Sequence, residues 1–169
     1  MRNMCKIAHF KEPHLRDNNV PQKAPFAFIL LRRTVAVEMT WAFVAGSVSA
    51  FMHCLFFLLE SVFFTNPKVS RGIFGIRSQE AVDAAAIWAL NQGFYNLFLA
   101  ISSGFALYLL QNETGVHYEI GRALLGVNNL IMVAAGAVLF FSSQGKLWLG
   151  AVIQGSPALA ALISLYYGI

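Results

Sequence analysis

Residues 41–64 read WAFVAGSVSAFMHCLFFLLESVFF, and this stretch decides the fold. It contains 24 residues, of which Glu60 alone is charged. A hydrocarbon core about 30 Å thick is crossed by roughly 20 helical residues, so the stretch is long enough to span it. In lipid every backbone amide must be satisfied within the structure, which leaves a helix or a closed barrel. Barrel strands would show segments of roughly ten residues with alternating polarity, and no such alternation is present. The stretch is therefore predicted to be a membrane-spanning helix. Asn66-Pro67 then stops it, because the residue before a proline is pushed out of the helical region.

Working outward, the same reading recurs. A second apolar run covers about 87–110 and ends in Gln111-Asn112-Glu113-Thr114-Gly115. A third covers about 122–141 and closes at Ser142-Ser143-Gln144-Gly145-Lys146, and a fourth covers about 147–167 and contains Pro157. The predicted organisation is a polar, basic N-terminal tail over 1–40 and a four-span membrane domain over 41–169. The fold class is all-α: a polytopic, multi-pass membrane protein built as a four-helix transmembrane bundle. Trp41, Trp88 and Trp148 fall at span starts and Tyr108, Tyr166 and Tyr167 at span ends, where amphipathic rings prefer the interface.

Composition agrees. The chain is 57% hydrophobic and 12% charged, against roughly 25% charged residues in soluble domains. Half the usual charge does not solvate the outside of a globule, so the solvent is lipid. The net charge of +4 does not point to nucleic acid, because seven of the twelve Lys and Arg fall in the first 33 residues. Basic residues beside spans read as topology signals or anionic-lipid contacts. The tail lacks the apolar core and small-residue cleavage site of a secretory signal, and Glu12 and Asp17 argue against a mitochondrial presequence. A flexible tail with an interfacial patch at Phe26–Leu31 is the expectation. Counting Lys and Arg leans toward both termini in the cytoplasm, with Lys68, Arg71 and Arg77 pulling the other way. Asn112-Glu113-Thr114 matches a glycosylation pattern, but it abuts the membrane and no sugar is expected there. Cys5 and Cys54 lie in tail and mid-span, so no disulfide is expected between them.

Polar residues inside the spans mark the candidate site. An ionisable group in a span costs several kcal/mol unless paired or facing a wet cavity. Glu60 is the one carboxylate clearly within a span and His53 the one histidine. Regular helical spacing puts them on one face within about 20° and roughly 10 Å apart along the axis. Ser49 extends that stripe. In the second span Asn91, Gln92, Tyr95 and Asn96 cover about 140° of one face. Asn128 and Asn129 follow in the third span, Gln154 and Ser156 in the fourth. Counted from the side of the 65–86 loop, these groups lie about 6 to 18 Å deep, all in one half of the membrane. A cavity opening toward that side is expected. Asn128, Asn129 and Ser156 read more simply as interhelical hydrogen bonding, each contributing on the order of 0.6 kcal/mol. The set of Glu60, His53, Asn91, Gln92 and Tyr95 fits either a ligand site or packing. His53 beside Cys54 is not a metal site, since neighbours point about 100° apart and no third ligand is evident.

Asn91-Gln92-Gly93-Phe94-Tyr95-Asn96-Leu97-Phe98-Leu99-Ala100 resembles the second span of the small four-helix membrane family catalogued as domain of unknown function thirteen-zero-four. His53 followed by Glu60 matches that family's first span, and Gln154-Gly155-Ser156-Pro157-Ala158 its last. The resemblance covers about residues 42–167. Phe64 stands where the family usually has Trp, and the N-terminal extension lies outside the pattern. The family carries no assigned activity, so the resemblance implies fold and site more than function.

Three functions follow as expectations, in this order. The first is a cofactor-free membrane enzyme, of isomerase or oxygenase type, acting on a small hydrophobic metabolite in a biosynthetic pathway. Glu60 and His53 would be its catalytic acid–base groups, and Asn91, Gln92, Tyr95, Asn96 and Gln154 would bind the substrate. Sterol isomerases of the emopamil-binding type and small anthrone oxygenases offer a fold-level analogy. The second is a non-enzymatic binder or transporter of a lipophilic molecule or proton. The third is a structural subunit of a membrane complex. The expected partners are the bilayer and a small hydrophobic ligand, with no metal, no cofactor and no nucleic acid, and with a homo-oligomer left open.

Overall fold

A computed structural model describes residues 26–112 and 114–167. The expectations for residues 1–25, for Cys5 and for Glu113 of the sequon lie outside the described residues. Helix α1 covers Phe26–Phe57 and runs on into a π-helical turn, Leu58–Val62. A short α2 follows at Pro67–Ser70, then α3 at Gln79–Leu109, α4 at Val116–Ser142 and α5 at Trp148–Tyr167. No strand occurs among the described residues. The fold is all-α, and four helices are long and apolar enough to cross a membrane: Thr40–Val62, Gln79–Leu109, Val116–Ser142 and Trp148–Tyr166.

Helical backbone starts earlier than the apolar runs do. It begins at Phe26, inside the stretch read as a tail, and α3 begins at Gln79 rather than near Ile87. At α3 the cause is local. Ser78 caps the helix, its hydroxyl accepting from the Ala81 N–H at 3.2 Å, and Glu80 sits in the first turn, where the helix dipole favours an acid. At 31 residues α3 is about 46 Å long, well over the hydrocarbon thickness, so its charged first turns project beyond it. The first span ends at Val62, ahead of the expected stop at Asn66-Pro67, and that pair instead opens the next helix. Asn66 accepts from the Lys68 N–H at 2.9 Å, and Pro67 takes the first position of α2, where a missing N–H costs nothing. At the α4–α5 turn, Gln144 and Gly145 both adopt positive φ, 53° and 76°, and reverse the chain into α5. Pro157 lies within α5, which continues through it.

Helix α1 packs along α3 and α5, and α4 packs along the same two, so α1 and α4 face each other across the diagonal of a square bundle. Large apolar side chains such as Phe51, Phe98, Ile101, Phe105, Leu130 and Phe141 point outward. The interior runs the other way. Ser49, His53, Asn96, Ser103, Asn128, Asn129 and Gln154 are buried. An apolar cluster of Ala42, Ala106, Leu107, Leu110, Leu125 and Leu165 fills only the end near the 111–115 loop, with Tyr118 and Leu124 against it. An apolar outside around an interior that mixes polar groups with small and apolar side chains such as Ala100, Met132, Ala158 and Ala161 suits a bundle immersed in hydrocarbon, where association rests on close packing and interhelical hydrogen bonds.

Candidate functional site

The site begins with a change of helical pitch. The Phe63 N–H donates to the Leu58 carbonyl at 2.9 Å, an i→i+5 bond that widens the turn by about one residue. Glu60 is the middle residue of that π turn. Regular spacing predicts Glu60 beneath His53 on one face, but the wider turn swings Glu60 round toward α3. There Ser61 Oγ donates to the Leu90 carbonyl at 2.9 Å. Gly93 makes this approach feasible: a Cβ there would collide with Ser61 Oγ and lie 3.0 Å from its backbone nitrogen. Asn96, one turn further along α3, donates from Nδ2 to Glu60 Oε2 at 2.7 Å. The half-buried carboxyl is thus tied to a neighbouring helix by a short, charge-compatible hydrogen bond.

Two cavities flank this pair. One, of about 370 Å³, is lined by Glu60, Phe64, Phe74, Ile76, Trp88 and Gln92, with Asn91 at its side. The segment after the π turn covers it, since the Phe64 and Phe74 rings meet at 5.5 Å between centroids. The other, of about 510 Å³, is a groove between α3 and α4, with Tyr95, Phe98 and Ile131 at its rim and Asn96, Ser102 and Asn128 deeper. Asn128 Nδ2 donates to Ser102 Oγ at 2.9 Å across that groove. Glu60 lines the first cavity, Asn96 the second and Gln92 both, so the hydrogen-bonded pair forms part of the partition between them.

The expected site residues therefore divide. Glu60, Asn91, Gln92 and Asn96 come together at the end nearest the 65–78 segment. Tyr95 faces outward, 57% exposed, at the rim of the groove that it lines with Gln92 and Asn96; Asn91 and Gln92 are exposed as well. An arc of about 140° on one helix is wide enough to straddle a neighbour, so one set of polar residues supplies both the inner wall and the outer rim. Gln154 is buried on α5. His53 is fully buried and lines neither cavity. Its ring leans back on its own helix, with Nδ1 2.9 Å from the Ser49 carbonyl, and packs edge-on to Phe56. Ser61, Ser102 and Phe74 complete the site without having stood out in the sequence, together with Trp88, which the sequence marks only as an interfacial ring. Of these only Ser61 carried a usable signal, its position directly after the one carboxylate of the span. No group of three His, Cys, Asp or Glu suited to a metal ion occurs among the described residues.

Residues 47–166 match the model of a family described as protein of unknown function (DUF1304), and the chain belongs to that family. Neither the curated proteins nor the solved structures yield a match.

Proposed function

We propose that this family member is a multi-pass membrane protein that takes a small hydrophobic molecule from the bilayer and moves a proton on it with the Glu60 carboxyl. One observation carries this reading: the Glu60–Asn96 hydrogen bond at the partition between two cavities, one of them a groove on the bundle's outer face. A simple bundle does not need an intramembrane carboxyl, which is costly to retain. Here it is held by one donor and borders open space, the arrangement a general acid–base group requires.

In this reading Asn96 positions the carboxyl, and Gln92 and Asn91 hold a carbonyl or hydroxyl of the substrate. Trp88, Phe64 and Phe74 enclose its apolar part. Proton removal at one carbon and return at another is an isomerisation. Proton removal from an activated aromatic opens it to dioxygen instead. Neither step asks the protein for a cofactor, and both suit a biosynthetic pathway handling lipophilic intermediates. His53 and Gln154 support the site from the interior. The bilayer is the first partner, and a second copy of the chain is compatible with the exposed apolar faces.

The test works without a named substrate. Reconstituted protein is incubated with a lipophilic extract of its own cells in deuterium oxide, and products are surveyed by mass spectrometry. A metabolite that gains deuterium with the native protein and not with Glu60→Gln supports the reading. Deuterium gain that is equal for both proteins overturns it. Binding of an extract component without chemical change would favour a carrier, and loss of assembly in Glu60→Gln would favour a structural subunit.

A further inference from the structure

Three buried polar atoms in the middle of the bundle have no hydrogen-bond partner among the described residues: His53 Nε2 on α1, Ser103 Oγ on α3 and Asn129 Oδ1 on α4. They belong to different helices, and all three residues are fully buried. None lines the Glu60 cavity or the α3–α4 groove. A buried polar atom left unpaired costs about 1–3 kcal/mol, so three at one place call for an account.

The helix register brings them to one level. A Cβ on Gly46 would lie 3.2 Å from Leu125 and 3.4 Å from Leu107, so α1, α3 and α4 meet at that point. Ser103 comes four residues before Leu107, and Asn129 four residues after Leu125. Because α3 runs opposite to α1 and α4, both steps lead the same way, about 6 Å toward the Glu60 end. His53 lies seven residues beyond Gly46, but its ring is held back toward the Ser49 carbonyl one turn earlier, nearer that level. Ser49 Oγ reaches across the diagonal to Met132 Sδ at 2.9 Å, so the bundle is closed there. On the fourth side α5 buries Ala158 and Ala161 fully, with the polar Gln154 and Ser164 buried one turn to either side of them.

The donors and acceptors are also fixed. A carbonyl accepts, so His53 Nδ1 donates to Ser49, and in the neutral ring Nε2 then presents a lone pair. Asn129 Nδ2 donates to the Leu125 carbonyl at 2.8 Å, so its free atom is the acceptor oxygen. Ser103 supplies a hydroxyl. Two acceptors and one hydroxyl complement a single protic molecule that donates twice and accepts once. We infer that the bundle centre is a second site, separate from Glu60, where one water is bound by His53 Nε2, Asn129 Oδ1 and Ser103 Oγ. Buried waters typically make about three hydrogen bonds to groups otherwise unpaired, which is the number offered here. The water ties α1, α3 and α4 together where they share few direct polar contacts. It also gives His53 a role independent of proton transfer at Glu60.

The test uses full-length protein with ¹⁵N-labelled histidine in phosphatidylcholine vesicles, read by solid-state nuclear magnetic resonance. The His53 signals are identified by their loss in His53→Gln. The expected spectrum has a proton on Nδ1, none on Nε2, and rapid magnetisation transfer from water to the His53 ring. Asn129→Leu and Ser103→Ala should each cut that transfer severalfold, with helical content retained by circular dichroism. A proton on Nε2, no transfer from water in the native protein, or transfer unchanged in both variants would overturn the assignment. The proton position is measured on the native chain, so the test stands even where a variant does not fold.

Discussion

The two ends of the bundle solve the same packing problem with different chemistry. At the 111–115 end, Ala42, Ala106, Leu107, Leu125 and Leu165 fill the space between helices with alkyl groups. At the other end, the π turn docks on α3 through Ser61 and Leu90, Asn96 and Glu60, and the bare face of Gly93. In hydrocarbon the first kind of contact gains only packing, because the separated helices are already in an apolar solvent. The second kind is directional and depends on a few atoms. The apolar end is therefore expected to tolerate gradual change and the polar end to fail at single positions.

Breaking the polar end at its closest approach should have the largest effect. Gly93→Ala puts a methyl group against Ser61 and its backbone nitrogen, and it should cost about 3 kcal/mol through overpacking and the loss of both hydrogen bonds to α3. Unfolding in mixed detergent micelles measures this, and a loss below that of an apolar-core variant would reverse the comparison. Leu125→Ala removes a fully buried side chain at the other end. It should cost about 2 kcal/mol, the low end for such a truncation, because lipid already solvates the exposed leucine in the separated helices. The smallest change belongs to Gly104→Ala, where nothing lies within 4 Å of the added carbon. Stability should be unchanged or rise by up to about 1 kcal/mol from helix propensity, and any marked loss would show that this face meets a partner.

Much of the fold was legible from residues 41–64 and their three counterparts, because length and apolarity are properties of a segment taken alone. The gathering of Glu60, Asn91, Gln92 and Asn96 was legible too, since polar residues in apolar runs stand out whatever their neighbours. The orientation of Glu60 was not. An i→i+5 turn at Leu58–Val62 is selected by what Ser61 meets on α3, and a reading at 3.6 residues per turn places Glu60 under His53 instead. The outward turn of Tyr95 was not legible for a related reason: its face depends on which side of α3 is left uncovered by α4. The early start of α3 was missed because Ser78 and Glu80 form a helix end by capping, which hydrophobicity does not register.

The α3–α4 groove changes what concentration means for anything that occupies it. On the proposed function, a molecule reaching Asn96 past Tyr95, Phe98 and Ile131 would arrive by diffusing in two dimensions, not from bulk water. Occupancy is then set by mole fraction in the membrane. Diluting a vesicle suspension with buffer would leave a strongly partitioning occupant in place, whereas adding empty lipid would draw it off.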